Sequence, residues 1–475
     1  MAVTAALVES LLRVVGPGGV STSEESRLAY ECDALVSVKG KPDLIVFPRS
    51  SDEVAPVVMI LANAGVPVVP RAAGTGLAGG ATAVDGGALL VLNKLTRILD
   101  ISLNDGYAVV ESGVVNIKLT RATEADGYCF APDPASQVAC TIGGNVACNS
   151  GGPHTLKYGV TTNHVLGVEM VMSDGGTVWL GGVCEDAPGY DLRGLVVGSE
   201  GTLGIVTKVA VKLTRIAPAL RTMFFAFRDV ESGSAAVSAV ISAGIVPAAM
   251  EIMDQVIVCA VEDAFNMGLP RNAGAVLIVE LDGLPEGLDR QAGMVVELCR
   301  DKGAFEVRVA RTEKERLALW GGRKKAGAAV GRVARNYISQ DLVVPRTRLK
   351  EMVAGIRQIG VKHGLSIGQF GHAGDGNVHP LTFFDERNRD EVAKLHGALH
   401  EIFELAISMG GTVTGEHGVG VEKVKYLAEQ FGPAEMAIMR RIRKLFDPAL
   451  LLNPGKVMKM NGGGPDPAAG KGGVQ

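Results

Sequence analysis

The spacing of apolar positions divides the chain into two textures. Through roughly the first 215 residues the apolar runs are short and end at Gly, Pro or Asp-Gly, which predicts strands. "DLIVFP" (43–48), "VPVVP", "GALLVL", "GYAVVESGVV", "GVEMVMSDGGTVWLGG" and "GTLGIVTKVAVKL" all have this form. "SDEVAPVVMILANAG" predicts a helix, with Ser51 or Asp52 as N-cap and Gly65 beyond its end. The N-terminus, "MAVTAALVESLLRVVGPGG", lacks a basic leader and carries Glu9, so it predicts a short amphipathic helix rather than a signal peptide. From about residue 220, strands such as "RTMFFAF", "AVLIVEL" and "FEVRVA" alternate with longer helical patterns, including 287–302 and 388–409. That mixture predicts an α+β second domain. The closing helix "PAEMAIMRRIRKLFDP" leads into a Gly/Pro/Ala-rich tail expected to be disordered. No internal repeat is present.

Composition narrows the class. A chain of 475 residues with 47% apolar and 21% charged residues is that of a soluble globular protein of two or three domains. Its net charge of −4 gives no reason to expect a nucleic-acid partner. No apolar run reaches the ~18 residues that span a bilayer, so a cytoplasmic location is expected, with any membrane association peripheral. Seven scattered cysteines without a CxxC pair suggest reduced thiols, and neither a zinc ribbon nor an iron–sulfur cluster. Glycine supplies 62 residues, well above the usual share of about 7%. So much glycine implies tight turns or close approach of backbone to a ligand.

One glycine cluster, "VPRAAGTGLAGGATAVDGG", contains Gly74-x-Gly76-x-x-Gly79, the spacing of a dinucleotide-binding turn. That fold needs a helix directly after the glycines, and here more glycine and a strand-like run follow. An NAD site is therefore disfavoured. A glycine loop can still turn successive amides into a concavity that holds a phosphate. "PDPASQVACTIGGNVACNSGG" (132–152) and "GSEGTLGIVTKV" (198–209) have the same character. Three such loops, separated by strands, suggest walls around one long, phosphate-bearing cofactor.

Six segments carry a family resemblance: "PRAAGTGLAGGA", "CTIGGNVACNSGGPHTLKYGVTTNHVLGVEMVMSDG", "GSEGTLGIVTKVAVKL", "GHAGDGNVHP", "GGTVTGEHGVGVEK" and "FDPALLLNPGK". Running in order from about 40 to 457, they resemble the FAD-linked oxidases of the vanillyl-alcohol-oxidase (PCMH) type. The members most resembled are the glycolate oxidase FAD subunit and the D-lactate and D-2-hydroxyglutarate dehydrogenases. The resemblance implies an α+β protein with a PCMH-type FAD domain over 1–215 and a substrate-binding cap with an antiparallel sheet over 216–415. Residues 416–460 would complete the FAD domain and active site, followed by the tail at 461–475. By the same resemblance FAD would contact Arg71, Ala73, Gly74, Thr75, Gly76, Leu77, Gly79 and Gly80 in the first loop. Pro134, Thr141, Gly144, Asn145, Gly151, Glu200, Gly204, Ile205, Val206 and Asn453 would complete its site. Thr75 stands where some relatives carry a flavin-tethering histidine, which implies non-covalent FAD.

Three of the eight histidines fall in two notable segments. In "IGQFGHAGDGNVHPLTFF", Asp375-Gly376 is a pair favoured for a two-residue hairpin loop. That loop would set His372 directly opposite His379, close enough to share a metal ion or to make ordinary hydrogen bonds. "GGTVTGEHGVG" (410–420) sets Glu416 beside His417 between glycines, either an exposed polar loop or a carboxylate ligand next to a proton-transfer group. The resembled dehydrogenases imply His372, His379 and Glu416 as ligands of a divalent metal (zinc, iron or manganese) and His417 as general base with a pKa suited to neutral pH. They also imply that Arg323, in "LWGGRKKAG", grips the substrate carboxylate. Around "NYISQDL" no lysine-containing anchor for a second carboxylate is evident, which favours a small monocarboxylate.

The expected reaction is oxidation of a small D-2-hydroxy acid, of D-lactate or glycolate type, to the 2-oxo acid. The electrons would leave to a separate partner: an iron–sulfur subunit, an electron-transfer flavoprotein, a cytochrome or a quinone. Two other readings stay open from residues alone. A metal-dependent hydrolase would use the His/His/Glu set without the glycine loops; a non-catalytic FAD electron-transfer subunit would use the loops without His417.

Overall fold

The computed structural model describes residues 3–184 and 188–460; the tail read as disordered lies outside them. The strand-rich first part forms two sheets. A four-stranded sheet runs Val20–Ser21, Leu44–Val46, Ala88–Val91, Val68–Arg71, with the last three strands parallel. "LIV" and "ALLV" are buried at every position, as strands covered on both faces must be. Val54–Asn63 covers one side, packing Val54, Val57, Val58 and Leu61 inward. Its start differs from expectation: a 3-10 turn over Ser51–Glu53 precedes it, and the residue before that turn, Ser50, makes no capping bond. The second sheet is antiparallel, in the order Ile98–Ser102, Tyr107–Glu111, Ile205–Lys212, Val165–Val171, Thr177–Gly181.

The later part is built on one eight-stranded antiparallel sheet. Its central strands are Ala219–Phe227, Ala275–Gly283, Ala249–Asp254, Ile367–His372 and Asn377–Phe384. Successive residues point to opposite faces, and both faces are covered. Met223, Phe225 and Phe227 pack toward helices Val230–Ser242, Pro285–Asp301, Leu349–His363 and Arg389–Ser408. Phe224 and Ala226 pack toward Gln255–Phe265 and Glu313–Val330. Helix Glu313–Val330 starts at a capping box, in which Thr312 Oγ1 accepts from the Glu315 amide and Glu315 accepts from the Thr312 amide.

Chain order and space diverge at the end. After Arg389–Ser408 the backbone returns to the first part. Val421 N donates to Ala78 O at 2.9 Å, Leu452 forms a parallel bridge to Val68, and Asn453 N donates to Val68 O at 2.7 Å. The last segment thus lies against the first glycine loop.

Candidate active site

The three glycine-rich segments line a single cavity. Residues 70–78, 80 and 81, parts of 134–150 and parts of 196–206 form its walls, and Glu416 and His417 close one end. No helix follows Gly79; the next regular element is strand Ala88–Val91. The 132–152 segment is not loop throughout: Ile142–Cys148 is a short helix, capped by Thr141 Oγ1 accepting from the Gly144 amide. Gly74 has φ of +72°, a conformation that favours glycine, and a Cβ there would press on the Arg71 guanidinium at 2.3 Å. Among the described residues, the backbone amides of 73–80 donate to no other protein group. A run of amides without protein partners beside a cavity fits a phosphate-bearing cofactor.

Of the residues expected at FAD, Arg71, Ala73, Gly74, Thr75, Gly76, Leu77, Gly80, Pro134, Thr141, Gly144, Asn145, Glu200, Gly204, Ile205 and Val206 line this cavity. Gly79, Gly151 and Asn453 do not. Gly79 is where the last segment packs, and a Cβ there would meet Val421 Cγ2 at 2.6 Å. Gly151 backs onto Thr155 Oγ1 and Glu416 Oε2. Asn453 is a tie between walls: its Nδ2 donates to Gly80 O at 3.0 Å and Glu200 O at 2.7 Å. Glu200 is a second tie, accepting from the amides of Val419 at 2.7 Å and Gly420 at 2.9 Å. Burial pushes its carboxyl up to about 7.

The histidine hairpin forms with a different register. Phe370 pairs with His379, so the connection is the four residues 373–376, and His372 lies diagonal to His379 instead of opposite it. A slip of two residues leaves every side chain on its face. The two histidines still meet, with ring centroids 5.3 Å apart. Glu416 Oε1 lies 3.2 Å from His372 Nε2 and 3.5 Å from His379 Nε2.

His372, His379 and Glu416 can each offer a ligand atom within 4.8 Å of the others, and so can Asp341, His379 and His417. Hydrogen bonding separates the two sets. Asp341 Oδ2 accepts from the Thr414 hydroxyl and the amides of Gly415, Glu416 and His417 at 2.8–2.9 Å, and Oδ1 accepts from Asn377 Nδ2 at 2.8 Å. Its Oδ2 is fully occupied by these donors, so Asp341 shapes the loop. Glu416 Oε2, by contrast, is buried without a partner. Against the cost of burial, the Glu251 and Glu416 carboxylates hold His372 well above its ordinary range. A field that favours a proton there also favours a divalent cation, so the residues fit one.

His417 stacks on His379 with centroids 5.1 Å apart. Its Nδ1 is enclosed and unpartnered, and the residue lines the cavity. Its pKa is not near neutral as expected. Burial pushes it down to about 4, so the ring is neutral at pH 7 and able to accept a proton.

Arg323 is neither solvent-facing nor free. It is 8% exposed, its Nε donates to Glu251 Oε2 at 2.6 Å, and its guanidinium lies 4.4 Å from the Phe370 ring centroid. Sequence reasoning missed Asp341 and Glu251. The signal for Glu251, an acid inside the apolar strand "AMEIMD", was present: a charge in a buried strand must be paired.

A cofactor cavity walled by glycine loops, ending at two histidines, a glutamate and a further histidine, defines a flavin-linked redox site. Comparison with known proteins agrees. A family model described as an FAD binding domain matches residues 42–181, and one described as the C-terminal domain of FAD linked oxidases matches 216–457. Glycolate oxidase subunit GlcD of Bacillus subtilis is 40% identical over 456 residues, 96% of this chain and 97% of that protein. A probable mitochondrial D-lactate dehydrogenase of Danio rerio is 32% identical, covering 96% of this chain and 92% of its own. The fold is shared with p-cresol methylhydroxylase at a TM-score of 0.79 and 17% identity, covering 96% of this chain and 97% of that one. The chain belongs to the FAD-linked oxidase family and is an FAD-dependent oxidoreductase related to glycolate oxidase and D-lactate dehydrogenase. Among the described residues no helix is long and apolar enough to cross a membrane.

Proposed function

We propose that this protein oxidises a small D-2-hydroxy acid, of glycolate or D-lactate type, to the 2-oxo acid. The observation that carries the reading is the junction of cavity and cluster: Glu416 and His417 line the cofactor cavity, while Glu416 also faces His372 and His379. Bound FAD, held without a covalent tether, would supply two-electron redox chemistry, and a divalent ion at His372, His379 and Glu416 would supply Lewis acidity toward the substrate hydroxyl.

The chain's own residues supply the rest. Arg323, held through Nε, keeps its terminal nitrogens for the substrate carboxylate, a grip suited to a planar fork. His417 takes the hydroxyl proton at Nε2, its ring already neutral. Asp341 fixes the backbone that carries both Glu416 and His417. With no cysteine pair for a metal cluster in the chain, the electrons pass to a separate acceptor; an iron–sulfur subunit, electron-transfer flavoprotein, cytochrome or quinone would serve. The name of the relatives, glycolate oxidase subunit, supports such a partner.

The test is anaerobic mixing of the FAD-loaded protein with glycolate, D-lactate, L-lactate and D-2-hydroxyglutarate while flavin absorbance is followed. Bleaching by a small D-2-hydroxy acid is the expected result. Flavin that no hydroxy acid bleaches would instead support an electron-transfer subunit.

A further inference from the structure

The Glu251 carboxylate lies outside the reacting set yet touches both of its ends. Its strand, Ala249–Asp254, pairs with Ile367–His372 so that Glu251 sits directly opposite His372. Oε1 meets His372 Nδ1 at 2.6 Å, and Oε2 accepts from Arg323 Nε at 2.6 Å. The side chain has no solvent exposure, so water cannot replace either partner. We propose that Glu251 is a positioning residue that sets the distance between the substrate's carboxylate grip and its hydroxyl-binding end. The proposal rests on the function proposed above.

At one end, the bond to Nδ1 fixes the His372 tautomer and ring orientation, which presents Nε2 to Glu416. At the other, Arg323 is held twice, in plane by Glu251 and face-on by Phe370 at 4.4 Å. The only freedom left to the guanidinium is in Nη1 and Nη2, which carry no hydrogen bond among the described residues. One rigid carboxylate thus spans the two contacts that a 2-hydroxy acid must make at once. A 3-hydroxy acid separates carboxylate and hydroxyl by one more carbon and misfits a fixed span. Glu251 therefore acts as a ruler for the position of the hydroxyl group.

The substitutions that test this are Glu251→Gln, which keeps the shape but offers a donor where an acceptor is required, and Glu251→Asp, which keeps the charge but is too short for both partners. Three readouts apply to each folded variant: zinc affinity by equilibrium dialysis, the KM and kcat for D-lactate with the metal saturating, and the ratio of kcat/KM for D-lactate over 3-hydroxybutyrate. Zinc affinity should fall about 10–100-fold, the loss typical for a removed partner of a ligating histidine. KM should rise more than kcat falls, and the ratio should drop at least several-fold, with FAD content unchanged. Weakened zinc binding with an unaltered KM and ratio would overturn the coupling, as would unaltered zinc binding. His372→Ala is the separate control. If it binds zinc like the native protein, the metal assignment fails, and that failure is distinguishable from failure of the ruler.

Discussion

Asn453 offers the sharpest measure of what holds the flavin cavity together. Its Nδ2 donates to Gly80 O and Glu200 O, carbonyls on two different walls, and its own φ is +42°. Two substitutions separate these features. Asn453→Gly keeps the left-handed backbone at no steric cost but deletes the amide, leaving two carbonyls, one buried and one partly buried, without a donor. Each such orphan costs about 1–3 kcal/mol, so the pair costs roughly 2–6 kcal/mol if no water enters. Asn453→Ala adds a further cost of about 1–2 kcal/mol for a Cβ in the left-handed region. The walls it ties line the cavity proposed to hold the cofactor, so part of this cost falls on binding. If about half of a mid-range 4 kcal/mol appears there, the FAD dissociation constant rises about thirtyfold, at tenfold per 1.4 kcal/mol. Flavin fluorescence titration gives the dissociation constant, and urea unfolding of the apoprotein gives the remainder. The Ala variant should be the less stable of the two. If Asn453→Gly held FAD within twofold of native affinity and unfolded at the same urea concentration, the tie would be irrelevant.

Three further outcomes follow from the site. His417→Gln should slow flavin reduction by about 10²–10⁴-fold, the usual worth of a positioned base, with substrate affinity changed far less in stopped-flow titration. A strong chelator should abolish reduction by D-lactate while the bound-flavin spectrum persists, and added zinc, manganese or ferrous ion should restore it. Burial lifts Glu200 from 4.5 to about 7, so between those pH values the folded chain binds a proton that the unfolded chain has released. Its contribution to stability therefore falls as pH rises through that window. Glu200→Gln should be less stable outright, yet its melting temperature should vary less between pH 4.5 and 7 than the native protein's does.

Local chemistry written in the chain was legible; pairing across space was not. The glycine loops announced themselves because a missing Cβ is a local fact, and the absence of a helix after Gly79 could be read from the residues that follow it. The hairpin reading placed His372 and His379 on one face but misjudged the loop by two residues. The side-chain period of two protects the face and says nothing about register. Helix Gln255–Phe265, "QVIVCAVEDAF", reads locally like a strand, and its β-branched residues become helical by packing on the sheet through Ile257, Val258 and Val261. Nothing in "LWGGRKKAG" names the partner that holds Arg323. Only the sheet brings Glu251 to it, from 72 positions away. Asp341 was invisible for the same reason, since its partners lie at 377 and 414–417.

The return of the last segment to the first has a consequence for biosynthesis. The walls of the flavin cavity are made early, by residues 70–206. The groups that lock them, the Val419 and Gly420 amides on Glu200 and the Asn453 side chain across Gly80 and Glu200, leave the ribosome later, after the whole eight-stranded sheet. A nascent chain can form the cavity but cannot secure it. Tight cofactor capture is thereby postponed until residues 416–453 have emerged, and a chain truncated before residue 416 would lack both the lock and the histidine proposed above as acceptor of the substrate's proton.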